Sequence, residues 1–153
     1  MSEVFFYHLT RQPLDAILPT LLNKARGAGW RVAVRGVSAD RMAWLDEKLW
    51  AVEGFLPHAQ AGGPFDGEQP ILLTTEASAA NSPECIVSVD GADLAPEDIR
   101  AVTRAMILFD GNDPDAVAHA RTQWKAVTEA KIAAKYWSQD SGDWQMKSEY
   151  KPD

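Results

Sequence analysis

The chain has 153 residues, 46% of them hydrophobic and 24% charged, and its formal net charge is −7. This length and composition are typical of one soluble globular domain. They exclude a membrane-spanning helix, because no run of about 18 apolar residues is present. The negative charge also argues against broad, non-specific binding of a phosphate backbone.

Predicted strands and helices alternate along most of the chain. One helix is predicted to begin at Pro13 and to end at the glycines of "RGAG", and a second to begin at Ser38 or Asp40 and to run to Gly54. Continuous apolar runs predict strands. The predicted strands are residues 3–9, 30–36, 70–75, 84–90 and 104–111.

The C-terminal part of the chain is predicted to contain one long helix and an extended tail. Asp113 is expected to cap this helix and Pro114 to fill its first turn, and the helical pattern reaches about Ala134. Nearly all-apolar strands that alternate with helices indicate a largely parallel sheet with helices on both faces. We therefore expect a single α/β domain over residues 1–147, followed by a tail at residues 148–153.

The single cysteine and the N-terminal residues indicate the cellular compartment. Cys85 lies in an apolar run, which favours a buried, inert thiol in a reducing environment. The first residues, "MSEVFFYHLTRQPLD", lack the basic start and apolar stretch of a signal peptide. We therefore expect a cytoplasmic protein that has no membrane partner.

Motifs for catalysis and cofactor binding are absent. The loop "HLTRQP" after the first strand has no glycine, so neither a dinucleotide fingerprint nor a phosphate-binding loop is present. The histidines His8, His58 and His119 lack the short spacing of a metal site. In "DGNDPD", Asp115 occupies the position where a calcium loop needs glycine. We expect no catalytic residue, no metal and no cofactor.

An apolar surface patch is predicted around "LDEKLW" and "FLPH". Trp50 lies roughly 80–100° from the core stripe of its helix. Together with Phe55, Leu56 and Pro57, it would form a patch that a partner can cover. The alternative is that the two aromatic rings tuck under the following loop.

The C-terminal helix carries a second candidate surface. Val117, Arg121, Trp124 and Lys125 follow the spacing i, i+4, i+7 and i+8, so they lie along one flank. An arginine can hold a carboxylate through two parallel hydrogen bonds, and an indole can hold an aromatic ring. This flank suits a peptide that ends in a hydrophobic residue. The alternative is a solvated helix face with one half-buried tryptophan.

The charge distribution also favours a small anionic ligand near the C-terminal end. Residues 119–153 hold six Lys or Arg and five Asp or Glu, a balance of +1, so residues 1–118 carry −8. A relatively basic end on an acidic body is compatible with local binding of an acidic segment.

The motifs "FFYHL", "LDEKLW", "FLPH", "PILL", "ARTQWK" and "DWQMK" occur in an order that resembles the chi subunit of bacterial DNA polymerase III holoenzyme. The resemblance covers the chain from about residue 3 to residue 147. It implies a single three-layer α/β domain of Rossmann-like outline. It further implies an accessory subunit of a DNA-directed DNA polymerase that belongs to the clamp-loader complex and has no activity of its own.

The resemblance implies that the chain binds the acidic, Pro-Phe-ending tail of single-stranded DNA-binding protein. Arg121 and Trp124 would hold the terminal carboxylate and phenyl ring, with Lys125 and Trp144 contributing. Some family members carry a basic residue where this chain has Val117, so tail binding here is expected to depend more on Lys125 or Lys131. DNA would be contacted only indirectly, through the coating protein.

A second partner is implied by the same resemblance. Trp50 and Phe55 would face psi, a small subunit that connects chi proteins to the clamp loader in some bacteria. Two other classes of function remain as alternatives. One is a nucleotide-binding α/β enzyme that uses the carboxyl edge of the sheet, and the other is a direct binder of single-stranded DNA, which the net charge of −7 disfavours.

Overall fold

The computed structural model describes residues 2–52, 56–139 and 143–152. Within these ranges the chain forms one sheet and four α-helices. The strands are β1 (Glu3–Leu9), β2 (Val32–Arg35), β3 (Ala59–Gln60), β4 (Ile71–Thr74), β5 (Cys85–Ser88), β6 (Arg104–Asp110), β7 (Ala133–Ser138) and β8 (Gln145–Tyr150). The helices are α1 (Leu14–Gly27), α2 (Ala39–Ala51), α3 (Pro96–Arg100) and α4 (Pro114–Glu129).

The strands form a single sheet in the order β3-β4-β2-β5-β6-β1-β7-β8. Neighbouring strands are parallel except β7 and β8, which are antiparallel. The first strand of the chain therefore lies inside the sheet, between β6 and β7. The predicted α/β class and the largely parallel sheet are confirmed.

The helices begin where the sequence provides caps. Pro13 lies immediately before α1. The hydroxyl of Ser38 accepts a hydrogen bond from the backbone N–H of Arg41 at the start of α2. The carboxylate of Asp113 accepts one from the N–H of Asp115, 3.0 Å away, at the start of α4. The side chains of Ser38 and Asp113 each satisfy an N–H group that has no partner within its helix, whereas Pro13 makes no side-chain hydrogen bond to α1. All three starts agree with prediction.

The two largest clusters of buried side chains lie on opposite sides of the sheet. Tyr7 and Leu9 of β1 pack in a cluster with side chains of α1 and α2, and we call this side the α1 face. Val4 and Phe6 alternate with them along the strand and pack in a cluster with Ala120 of α4, and we call this side the α4 face. Side chains alternate between the faces of a strand, so β1 contributes to both clusters.

The C-terminal part of the fold differs from the prediction. Helix α4 ends at Glu129 instead of continuing to Ala134, which lies in β7 and pairs with Val4 of β1. Lys131 has a φ of 60°, a left-handed conformation that interrupts a right-handed helix. Residues 148–150, expected in a tail, lie in β8. The elements α3, β3, β7 and β8 were not predicted.

Cys85 is fully buried in β5, as its apolar neighbours predicted. Burial raises the pKa of its thiol to about 12, so the sulfur stays protonated and unreactive near neutral pH. Within the described ranges, no helix combines the length and apolar character needed to cross a bilayer.

Candidate functional site

Helix α4 brings four of the five predicted tail-binding residues together. Ala120 is buried against the sheet and sets the orientation of the helix. On the adjacent side, Val117 and Trp124 are half-buried against the α4-face cluster, whereas Arg121 and Lys125 are exposed. We call these last four residues the α4 flank. The predicted helical spacing therefore places two apolar groups and two cations side by side.

Arg121 is the residue of the α4 flank best suited to bind an anion. Its guanidinium makes no hydrogen bond or ion pair with any residue in the described part of the chain. A guanidinium has five N–H donors in a planar fork that matches the two oxygens of a carboxylate. Because these donors are not used internally, an external carboxylate can take them without breaking an existing contact.

Trp124 forms an aromatic wall next to Arg121. Its ring centroid lies 5.3 Å from that of Phe6 and 6.1 Å from that of Tyr136, both in edge-to-face geometry. The hydroxyl of Tyr136 is 2.7 Å from Nδ1 of His8, which fixes the tyrosine ring. An aromatic side chain from a ligand could extend this cluster at the exposed edge of Trp124.

Tyr136 was not predicted as part of this site. It contacts Trp124 only because β7 pairs with β1 in parallel, with Tyr136 beside Phe6 in the register. The sequence pattern instead predicted helix up to about Ala134 and no strand after it. No local signal in the sequence indicates a pairing between residues that lie so far apart along the chain.

Trp144, the fifth predicted residue, lies elsewhere. Its ring meets that of Tyr7 edge-to-face at a centroid distance of 5.3 Å. Tyr7 points to the α1 face, and Trp144 packs against the same cluster. The structure therefore places Trp144 on the opposite side of the sheet from Arg121 and Trp124, so the three residues do not form one site.

The second predicted surface, at the end of α2, is present in part. Trp50 is 53% exposed, and its ring lies over that of His58 at a centroid distance of 4.2 Å. Pro57 is half-buried, and Phe55 lies outside the described residues. Leu56 is only 5% exposed and belongs to the α1-face cluster, so its side chain is part of the core and not of a surface patch.

His58 fixes the position of the Trp50 ring. It is buried, with Nδ1 2.7 Å from the carbonyl oxygen of Leu56 and Nε2 3.2 Å from a carboxylate oxygen of Asp46. These contacts connect the loop after α2 to the helix itself. Trp50 therefore packs on an imidazole that is held at both nitrogens. The sequence left open whether the Trp50 ring is exposed or tucked under the following loop, and the structure shows it exposed.

A cavity of about 880 Å³ at the carboxyl edge of the sheet bears on the nucleotide-binding alternative. Its charged lining is mostly acidic: Asp15, Asp90, Asp110, Asp113 and Asp115, against Arg11 and Arg41. Arg41 is already bound to Asp90 through two hydrogen bonds of 3.1 Å. Carboxylates repel phosphate groups, and the described residues include no cluster arranged to hold a metal ion that could offset them. The cavity therefore gives no support to nucleotide binding.

The comparison with known families decides which class of protein this is. Residues 1–135 match the family model described as DNA polymerase III chi subunit, HolC. The chain belongs to this family. The resemblance found in the motifs is confirmed, and membership supports an accessory role in replication. The match contains Trp50 and the whole α4 flank and ends within β7, before Trp144. No curated protein matches the chain.

Proposed function

We propose that this member of the chi family is a non-catalytic adaptor of the clamp-loader complex. In this proposal it binds the acidic C-terminal tail of single-stranded DNA-binding protein and so tethers the loader to coated single-stranded DNA in the cytoplasm. The observation that carries the proposal is the exposed guanidinium of Arg121, which has no partner among the described residues and lies one helical turn from the half-buried indole of Trp124.

The chemistry of the α4 flank fits each part of such a tail. The terminal carboxylate would take the fork of Arg121 through two parallel hydrogen bonds. The phenyl ring of the last residue would pack against Trp124 and the methyl groups of Val117, which are half-buried and already in contact with the core cluster. Acidic residues earlier in the tail would lie near the exposed ammonium of Lys125. Trp144 stays outside this site.

The size of the flank indicates a weak contact. A peptide that covers a few side chains is small compared with a stable protein interface, so we expect a dissociation constant near micromolar, about −8 kcal/mol. Arg121 and Lys125 are both exposed. Their share of the binding should fall as salt rises, because exposed charges are screened over about 10 Å at 0.1 M ionic strength.

The role of the terminal carboxylate can be tested with two synthetic peptides. Both carry the same acidic sequence ending in Pro-Phe, and one of them is amidated at its C-terminus. Amidation removes the charge that Arg121 would bind, so we expect the amide to bind at least about tenfold more weakly in isothermal titration calorimetry. A third peptide with alanine in place of the last residue tests the aromatic contact separately. Equal affinity of the acid and the amide would contradict the proposed site.

We also propose that the surface around Trp50 contacts psi or another clamp-loader component. An indole that is 53% exposed and held against His58 is a rigid aromatic anchor of the kind that dominates protein interfaces. Pro57 borders this surface, and Phe55 is included on the basis of the sequence alone. Leu56 would support the patch from the core.

Replacing Trp50 with alanine should separate the two proposed interfaces. We expect binding to the clamp-loader components to weaken at least about tenfold, because a buried interfacial tryptophan often contributes about 2 kcal/mol or more. Tail-peptide affinity should stay unchanged, since Trp50 and the α4 flank lie on different elements. Binding is measured by calorimetry and folding by circular dichroism. Loss of the folded spectrum in Trp50→Ala would instead show that this side chain supports the core.

We also propose that the fold is a three-layer, Rossmann-like arrangement with helices on both faces of the sheet. It is supported by the two core clusters, in which α1 and α2 pack with one set of strand side chains and α3 and α4 with the alternate set.

A further inference from the structure

The two sides of α4 have different neighbours. On one side, the amide of Gln123 donates a hydrogen bond to the carbonyl oxygen of Ala92 at 3.4 Å, so the segment between β5 and α3 covers this side. On the other side, the ring of Trp124 contacts that of Tyr136 on β7 at a centroid distance of 6.1 Å. Strand β8 follows β7 at the edge of the sheet. The α4 flank therefore lies beside the part of the α4 face that β7 and β8 form.

The strand register identifies the side chains of β8 that belong to the α4 face. Ser148 is level with Tyr136, and Tyr150 is level with Ala134. Ala134 is 1% exposed within the α4-face cluster, and both tyrosines pack against that cluster. Residues that are level on neighbouring strands point to the same face of a sheet. Ser148 and Tyr150 therefore lie on the same face as the α4 flank.

Ser148 leaves an open position between two aromatic rings. It is exposed and has a small side chain, with Tyr136 beside it on β7 and Tyr150 two residues further along β8. The two tyrosines are diagonal neighbours, a separation of about 7–8 Å that aromatic side chains can bridge. A ring placed over Ser148 would contact both of them, and the edge of Trp124 would lie on its α4 side.

The charges around this position suit an anionic peptide. Arg121 and Lys125 are exposed on the α4 flank. The side chains of β7 and β8 on the α4 face include no carboxylate among the described residues, because Glu149 precedes Tyr150 and points to the opposite face. A peptide lying between α4 and β8 would therefore meet cations on the helix and uncharged, aromatic side chains on the strands.

Tyr150 also offers a polar group to a ligand. Its ring is half-buried, and its hydroxyl makes no hydrogen bond with any residue in the ranges that the structure describes. A tyrosine hydroxyl that becomes buried usually acquires a hydrogen-bond partner. A bound peptide can supply one, because each of its carbonyl oxygens is an acceptor.

We propose that β8 forms the second side of the tail-binding site and makes the site selective for a peptide that ends in an aromatic residue. The last ring of the peptide lies over Ser148, with Trp124 on one side and Tyr150 on the other, and Arg121 holds the terminal carboxylate. This inference rests on the proposed function, since it assigns further residues to the same site. The family match ends at residue 135, before β8 begins.

The preference for an aromatic end can be measured with two acidic peptides that differ only in ending with Pro-Phe or Pro-Ala. In isothermal titration calorimetry, we expect Tyr150→Ala to bind the Pro-Phe peptide about fivefold or more weakly than the wild type and the Pro-Ala peptide within about twofold of it. General destabilisation would weaken both peptides alike. Tyr150→Phe keeps the ring and should retain most of the preference.

A second pair of variants tests the position over Ser148. Ser148→Glu places a larger, negatively charged side chain where the peptide ring is expected, and it should weaken binding of the Pro-Phe peptide about fivefold or more. Met146→Glu is the matched control. Met146 is 44% exposed on the same strand, but it is level with Trp137, which is level with Tyr7 on the α1 face. The control should bind within about twofold of the wild type.

Thermal unfolding shows whether each variant folds, and Ser148→Glu, at an exposed position, decides the result if Tyr150→Ala does not fold. The inference is overturned if folded Tyr150→Ala keeps the full preference for phenylalanine, or if Ser148→Glu and Met146→Glu weaken binding equally. In either case, a loss of affinity in Arg121→Ala would still support the α4 flank as the tail site without β8. A wild type that binds neither peptide overturns the proposed function and this inference together.

Discussion

The Arg121→Ala variant is expected to bind the tail peptide at least about tenfold more weakly than the wild type, equivalent to about 1.4 kcal/mol or more. A charge-assisted hydrogen bond typically contributes about 1.5–3 kcal/mol, and the guanidinium can make two to one carboxylate. The free energy of unfolding should not change, because Arg121 is exposed and has no partner in the described part of the chain. Calorimetry measures the affinity, and urea unfolding measures the stability.

Two further variants sharpen this measurement. Arg121→Lys keeps the charge and loses the planar fork, so it should bind with intermediate affinity. Lys24→Ala removes an exposed cation from α1 and should bind like the wild type. If Arg121→Ala and the wild type bind equally well, the α4 flank is not the peptide site. If Arg121→Ala and Lys24→Ala weaken binding to the same degree while Arg121→Lys binds like the wild type, the contact depends on overall charge and not on the planar guanidinium fork.

The Arg35→Met variant is expected to lose about 3 kcal/mol or more of stability. Arg35 is 7% exposed, and its guanidinium donates to a carboxylate oxygen of Asp98 at 3.0 Å and to the carbonyl oxygens of Asp93 and Ala77. These acceptors belong to the segment after β4, the segment after β5 and helix α3. Methionine preserves much of the apolar stem but removes the guanidinium from all three acceptors, and Asp98 then keeps the backbone N–H of Ala95 at 3.1 Å. Urea or thermal unfolding monitored by circular dichroism measures the loss.

The matched control for Arg35 is Arg41→Met. Arg41 forms an ion pair with Asp90 through two hydrogen bonds of 3.1 Å, but its side chain is 43% exposed. Exposed pairs contribute about 0–1 kcal/mol, because water solvates both partners when the pair is broken. We therefore expect Arg41→Met to unfold within about 1 kcal/mol of the wild type. If Arg35→Met and Arg41→Met lose equal amounts of unfolding free energy, burial does not make the Arg35–Asp98 pair more stabilising than the Arg41–Asp90 pair.

The early elements of the fold could be predicted because their signals are local. Apolar runs predicted β1, β2, β4, β5 and β6, and the caps Ser38 and Asp113 and the prolines that open α1 and α4 marked where the helices start. The parallel arrangement followed from strands that are buried along their whole length, such as Ile71–Thr74. Each of these inferences uses only neighbouring residues, so none requires knowledge of the tertiary structure.

The C-terminal strands could not be predicted in the same way. The residues "EAKIAAK" are good helix formers and continue the pattern of α4. In the structure, the left-handed backbone at Lys131 ends this pattern, and pairing of Ala134 with Val4 provides the competing stabilisation. Such pairing depends on a residue far away in sequence, and it overrides the local preference.

The same limit applies to the candidate site. Helical spacing was sufficient to group Val117, Arg121, Trp124 and Lys125, because all four are on one helix. Tyr136 contacts Trp124 because of the position of β7, and Trp144, just before β8, packs against Tyr7 on the opposite face. The sequence pattern predicted neither strand.

The interior position of β1 has a consequence for how the chain reaches its folded state. Glu3 is paired with Arg104 on one side and with Ala133 on the other. On the ribosome, the first strand therefore emerges long before either neighbour has been translated. Until then, Val4 and Phe6 lack the two neighbouring strands between which they are buried in the folded protein. A topology with such distant pairings folds slowly compared with one built from local contacts.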